Sequence, residues 1–63
     1  MGTSLRKIGE SRYDVLVDEQ TIGRVWNWHG SWSARVAGKT YHSLKSRKKA
    51  VERVERVAEL RGG

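Results

Sequence analysis

Cysteine, proline and phenylalanine are all absent from this 63-residue chain, and acidic residues are outnumbered by basic ones. Without cysteine there is neither a disulfide framework nor a thiolate zinc site. Long apolar runs are missing too. Nothing approaches the ~18 residues of a membrane span, and Met1–Ser11 has no apolar stretch of the signal-peptide kind. The expectation is a single domain in the cytoplasm, because a second domain does not fit this length. Catalytic signatures are equally thin. There is no HExxH, no phosphate-cradling glycine loop and no Ser–His–Asp set. The two histidines, His29 and His42, have no carboxylate close in sequence. Asp14, Asp18 and Glu19 read as an acidic turn with at most weak metal affinity. A chain this small also has little room for a deep pocket. A non-enzyme without metal or cofactor is expected.

What the chain does have is positive charge and indole. Thirteen Lys and Arg stand against seven Asp and Glu, a net charge of +6, and there are three tryptophans. Residues 1–44 carry +2 of that charge and residues 45–63 carry +4. Lys45, Arg47, Lys48 and Lys49 crowd one end of the basic part. Such a balance fits a polyanionic partner.

The hydrophobic pattern gives an α+β chain. Residues 1–11, with Leu5 and Ile8 isolated among polar residues and Arg6 and Lys7 adding charge, read as a flexible basic arm. A ββββα domain is expected over residues 12–61. Tyr13–Val17 and Thr21–Trp28 are rich in strand formers on either side of an Asp18-Glu19-Gln20 turn. Ser31–Val36 alternates polar and apolar, the mark of a half-buried strand. Gly38-Lys39 reads as a tight turn and Thr40–Ser43 as a short last strand. Connections this short make the sheet an antiparallel meander of three to four strands. Ala50, Val51, Val54, Val57 and Ala58 then form one helical stripe, with Ser46 as N-cap, Leu44 as a staple residue, a Glu52–Arg56 pair and Gly62-Gly63 at the end. A single C-terminal helix covers one sheet face and leaves the other open.

The turn at His29-Gly30 sets which residues lie on that open face. A two-residue turn puts Val25, Trp32, Ala34 and Val36 toward the helix and Arg24, Trp26, Trp28, Ser33 and Arg35 outward. A three-residue bulged turn would slip the faces by one and carry Arg24 inward. The two-residue form is preferred because burying an unpaired arginine is costly. Two indoles between two arginines then make a candidate nucleic-acid platform: Arg24, Trp26, Trp28 and Arg35 on the sheet, Lys39 and His42 at its edge, and Lys45, Arg47, Lys48 and Lys49 on phosphates. The cations at the helix start oppose the helix dipole, a cost that a polyanion would offset.

From Gly23 onward the order Gly23-Arg24-Val25, Gly30-Ser31-Trp32-Ser33-Ala34-Arg35-Val36, Gly38, Leu44 and Ser46-Arg47-Lys48-Lys49-Ala50-Val51 resembles the plant ethylene-response (APETALA-type) DNA-binding domain. It is also similar to the arm-type DNA-binding domain of phage and transposon integrases. The likeness covers residues 23–60. It implies a three-stranded antiparallel sheet on one helix, with the open face in the major groove. Trp32, Ala34 and Val36 match the core positions, and Arg35 matches a groove-facing one. Two groove-facing arginine positions fall on Trp26 and Trp28, so base readout through those positions is not kept.

The expected function is a small basic module for double-stranded DNA, an accessory or architectural factor of phage or mobile-element type, associated with the nucleoid. About five neutralised phosphates would give a salt slope near −4 to −5. The alternatives are RNA in place of DNA, and a protein-interaction or self-associating module using the Trp face, such as a small phage-type inhibitor of a host protein. A membrane partner is not expected.

Overall fold

A computed structural model describes residues 2–62. The chain is an antiparallel five-stranded sheet with one helix: β1 Thr3–Gly9, β2 Arg12–Val17, β3 Gln20–Trp28, β4 Ser31–Val36, β5 Lys39–Leu44 and α1 Arg47–Gly62. The strands lie in chain order, a simple meander. The α+β architecture with one C-terminal helix is as expected, but the sheet has five strands instead of three to four. The extra one is β1. It lies within the segment read as a flexible arm, and it pairs with β2 from Thr3 opposite Val17 to Gly9 opposite Arg12. Six of its seven residues are exposed, so backbone hydrogen bonds and not side-chain burial hold it.

Four turns make the meander, and the last three use a left-handed backbone. Asp18 (φ 52°) and Glu19 (φ 68°), His29 (φ 50°) and Gly30 (φ 82°), and Ala37 (φ 55°) and Gly38 (φ 79°) occupy the central pairs. Positive φ at both central residues is what a type I′ turn needs, and its twist matches that of the flanking strands. The last turn is therefore Ala37-Gly38, one residue earlier than Gly38-Lys39. That shift lengthens the final strand to Lys39–Leu44. Ser43 (φ 61°) marks a bulge in β5, where the register changes between Trp32–Leu44 and Ala34–Tyr41.

Register assigns the faces. Leu5, Val15, Gly23, Val36 and Lys39 stand opposite one another across the sheet, as do Lys7, Tyr13, Val25, Ala34 and Tyr41, and Asn27, Trp32 and Leu44. Directly opposed residues share a face, and these three rows face α1. Val15, Val25, Ala34 and Val36 are buried there with Ala50 and Val54 of the helix. Tyr13, Trp32, Tyr41, Leu44, Val51, Val57 and Ala58 pack around them, half-buried. Trp32 tilts over Tyr13 with ring centroids 6.2 Å apart. The helical stripe is thus the expected one. Its N-cap is also as expected, since Ser46 Oγ accepts from Lys49 N–H at 3.2 Å.

Gly23 lets the helix approach the sheet. A Cβ built there would sit 2.6 Å from Val54 Cγ1 and 2.8 Å from the Arg35 carbonyl oxygen. On the outer surface of the helix, Glu52 meets Lys49 at 3.9 Å instead of Arg56. Glu55 accepts a hydrogen bond from Thr3 Oγ1 and so ties β1 to the helix. The helix continues through Gly62, the first of the two glycines expected to end it, and Gly63 lies outside the described residues. Among the described residues no helix is long and apolar enough to cross a membrane.

Candidate nucleic-acid interface

The His29-Gly30 turn has two central residues, and Trp28 opposes Ser31, Trp26 opposes Ser33 and Arg24 opposes Arg35. The outward set is therefore the expected one. Extended across the sheet, the register aligns Arg6, Asp14, Arg24, Arg35 and Thr40 in one row. A second row holds Arg12, Trp26 and Ser33. His42 joins it by a hydrogen bond of 3.2 Å between its Nδ1 and Ser33 Oγ. Two of these residues, Arg6 and Arg12, were not among the sequence candidates. Arg6 had been assigned to the arm. For Arg12 the sequence does carry a signal: with Tyr13, Val15 and Val17 facing inward, alternation turns Arg12 and Asp14 outward.

The open face thus carries four arginines around one strand carboxylate. Asp14 is not part of an acidic turn; that turn is Asp18 and Glu19 alone. Asp14 sits in β2, its side chain 13% exposed, and its Oδ1 accepts from Arg24 Nε at 3.1 Å, while the Arg24 side chain is 56% exposed. Arg35 stands directly opposite Arg24 with no carboxylate bonded to it among the described residues. Like charges in direct opposition destabilise a strand pair, so this pair is a site where an anion or a rich set of acceptors would be welcome.

The indoles sit beside them. Trp26 is half-buried, and Trp28 is 63% exposed with its ring edge-on to His29 at 4.4 Å. Trp26, Trp28, Arg12, Arg24 and Arg35 line an open concavity together with Glu10, Ser11 and Asn27. The Ser11 carbonyl accepts from Asn27 N–H at 2.9 Å, which fixes that β1–β2 turn against β3. The surface combines fixed donors with a π face on rigid strands. Ser33, at the Ser–His contact of this surface, is 2% exposed.

The remaining expected residues do not join this surface. Lys39 opposes Val36 and so stands on the helix-bearing face at the sheet's end. Arg47 stacks on Tyr13 with its guanidinium carbon 5.1 Å from the ring centroid, again on the helix side. Lys48 lines a groove there with Leu5, Trp32 and Val51. Lys49 is next to Glu52, and Lys45 is exposed in the link before α1. The reason is geometric. A helix that covers the Val25 face carries its first turn to that side as well. Sheet arginines and Arg47 and Lys48 therefore do not share one surface, and the open face holds Arg24, Trp26, Trp28, Arg35 and His42 together with Arg6 and Arg12.

Comparison with family models, with curated proteins and with solved structures found no match for this chain. The likeness to APETALA-type and integrase arm-type domains rests on its short motifs.

Proposed function

We propose that this chain is a small basic module that binds double-stranded DNA through the open face of its sheet. The observation that carries the reading is the direct opposition of Arg24 and Arg35 beside Trp26, with Arg6 and Arg12 on the same face. The row of Arg6, Asp14, Arg24 and Arg35 keeps a net positive charge even with Arg24 paired to Asp14, and a polyanion would offset the remaining repulsion.

Sheet width dictates how such a face would dock. Five strands span four gaps of ~4.8 Å, about 19 Å between outer strands. The major groove is about 12 Å wide. The whole sheet does not lie flat inside it. β3 and β4 enter, bringing Arg24, Trp26, Trp28 and Arg35 to base edges and sugars. β1 and β2 pass over one groove wall, where Arg6 and Arg12 meet phosphates, and β5 brings His42 toward the other. Arg47 and Lys48 lie behind the sheet and take no direct part.

The test is a salt titration of duplex binding by fluorescence anisotropy. Four arginines against DNA give a slope of log affinity on log salt near −3.6 at most, shallower than the five-phosphate estimate. Affinity that is flat from low to moderate salt would sink this electrostatic reading.

A second reading is favoured by one observation, the 63% exposure of Trp28. An indole held out on a rigid strand is also the anchor of many protein interfaces. Sedimentation of the protein alone, beside Trp fluorescence titrated with duplex DNA and with RNA, separates the readings. Self-association without quenching supports the protein interface, and quenching by RNA but not by the duplex would move the partner from DNA to RNA.

A further inference from the structure

We propose that Arg24 reads guanine and that Asp14 is the residue that positions it, an inference that rests on the duplex-DNA reading above. Asp14 Oδ1 takes the Nε–H of Arg24 at 3.1 Å. Nε is the inner nitrogen of the guanidinium. With it engaged, the outer edge, both Nη groups, keeps its donors, and among the described residues no other protein group accepts from them. Two parallel donors on that edge match two acceptors side by side, either guanine O6 and N7 or two phosphate oxygens.

Charge decides between these acceptors. Asp14 neutralises the guanidinium locally, so the pair presents directional donors with little net charge. A phosphate would meet the Asp14 carboxylate just behind its partner and gain less than from an unpaired arginine. The guanine edge is neutral and loses nothing of the kind. Position agrees. β3 is the middle strand of five, the part of the sheet that reaches the groove floor, while the outer strands lie over the walls. Asp14 is itself well held: it is 13% exposed and flanked in register by Arg6 on one side and Arg24 on the other. A fork held on two rigid strands keeps the narrow geometry that base readout needs.

The experiment is selection of bound duplexes from a random DNA library with the full chain, followed by affinity measurements on the selected site. Wild type is expected to require one guanine, with other bases at that position bound on the order of ten-fold more weakly. Replacing that guanine by 7-deazaguanine, which lacks N7, should remove most of the preference. Asp14→Asn should lose the preference while binding unselected duplex as well as wild type or better, because a carboxylate has left a DNA-facing surface. A purely structural role for Asp14 would instead weaken both together. Arg24→Lys, which keeps the charge but not the fork, should also lose the preference, and circular dichroism checks that both variants fold. Duplex binding without a guanine preference, or a preference that survives Asp14→Asn, overturns the proposal and leaves the duplex reading standing. Absence of any duplex binding overturns both.

Discussion

Gly23→Ala puts the seating of the helix to the test. The added methyl would lie 2.6 Å from Val54 Cγ1, 2.8 Å from the Arg35 carbonyl oxygen and 3.3 Å from Val36 Cβ. Val54 is fully buried, so its methyl has no open space to move into, and the Arg35 carbonyl belongs to the sheet. Overpacking of this kind costs about 1–3 kcal/mol, and two contacts this close place it near the upper end. Against this, alanine restricts the unfolded chain more than glycine does, a gain of about 0.4–1 kcal/mol where the backbone is compatible. The net loss is about 2 kcal/mol. For a domain of this size that lowers the melting temperature by about 8–16 °C, read by circular dichroism. Val54→Ala supplies a second arm. Alone it should cost about 2 kcal/mol, two buried methyl groups plus a cavity term. Combined with Gly23→Ala the loss should fall short of the sum by about 1 kcal/mol, since the nearer obstacle is gone while the carbonyl remains. An unchanged or raised melting temperature for Gly23→Ala, or strict additivity in the pair, would refute the idea that Val54 rests on Gly23.

Other perturbations probe the faces and turns. Trp32→Ala should destabilise by about 3 kcal/mol, the lower end of the usual range because the ring is half-buried, whereas Trp28→Ala should change stability by no more than about 0.5 kcal/mol; urea unfolding compares them, and equal losses would contradict the face assignment. Ala37→Gly should raise stability by about 0.5–1 kcal/mol, because glycine adopts the left-handed conformation of this turn without a Cβ penalty; a destabilised variant would show that the strain at Ala37 is not there.

Much of this arrangement is legible from residue order because it depends on short-range chemistry. His29-Gly30 is a turn whose left-handed residues fix the β3–β4 register, and that register alone sorts Trp32 from Trp26 and Trp28. The period of Ala50, Val54 and Val57 and the cap at Ser46 fix the helix in the same way. β1 is not legible for the opposite reason. Leu5 and Ile8 remain 38% and 39% exposed, so no burial pattern marks the strand, and its stability comes from backbone pairing with β2. With β1 unseen, Arg6 had no face. The turn at Ala37 also misleads, because alanine rarely takes positive φ and Gly38 looks like the first turn residue when it is the second. The helix-start cluster is a different case. Its charge is plain in the sequence, but charge does not carry direction. Arg47 leans on Tyr13, and the cluster ends behind the sheet, away from the arginine row.

Two basic surfaces, the open face proposed to bind DNA and the helix start behind it, are what NMR shift mapping of the labelled chain with a duplex DNA distinguishes directly. Shifts are expected at Arg6, Arg12, Arg24 and Arg35 and at the indoles of Trp26 and Trp28, with Arg47 and Lys48 unmoved. Shifts concentrated at Arg47, Lys48 and the helix start, with the open face silent, would contradict the proposed interface.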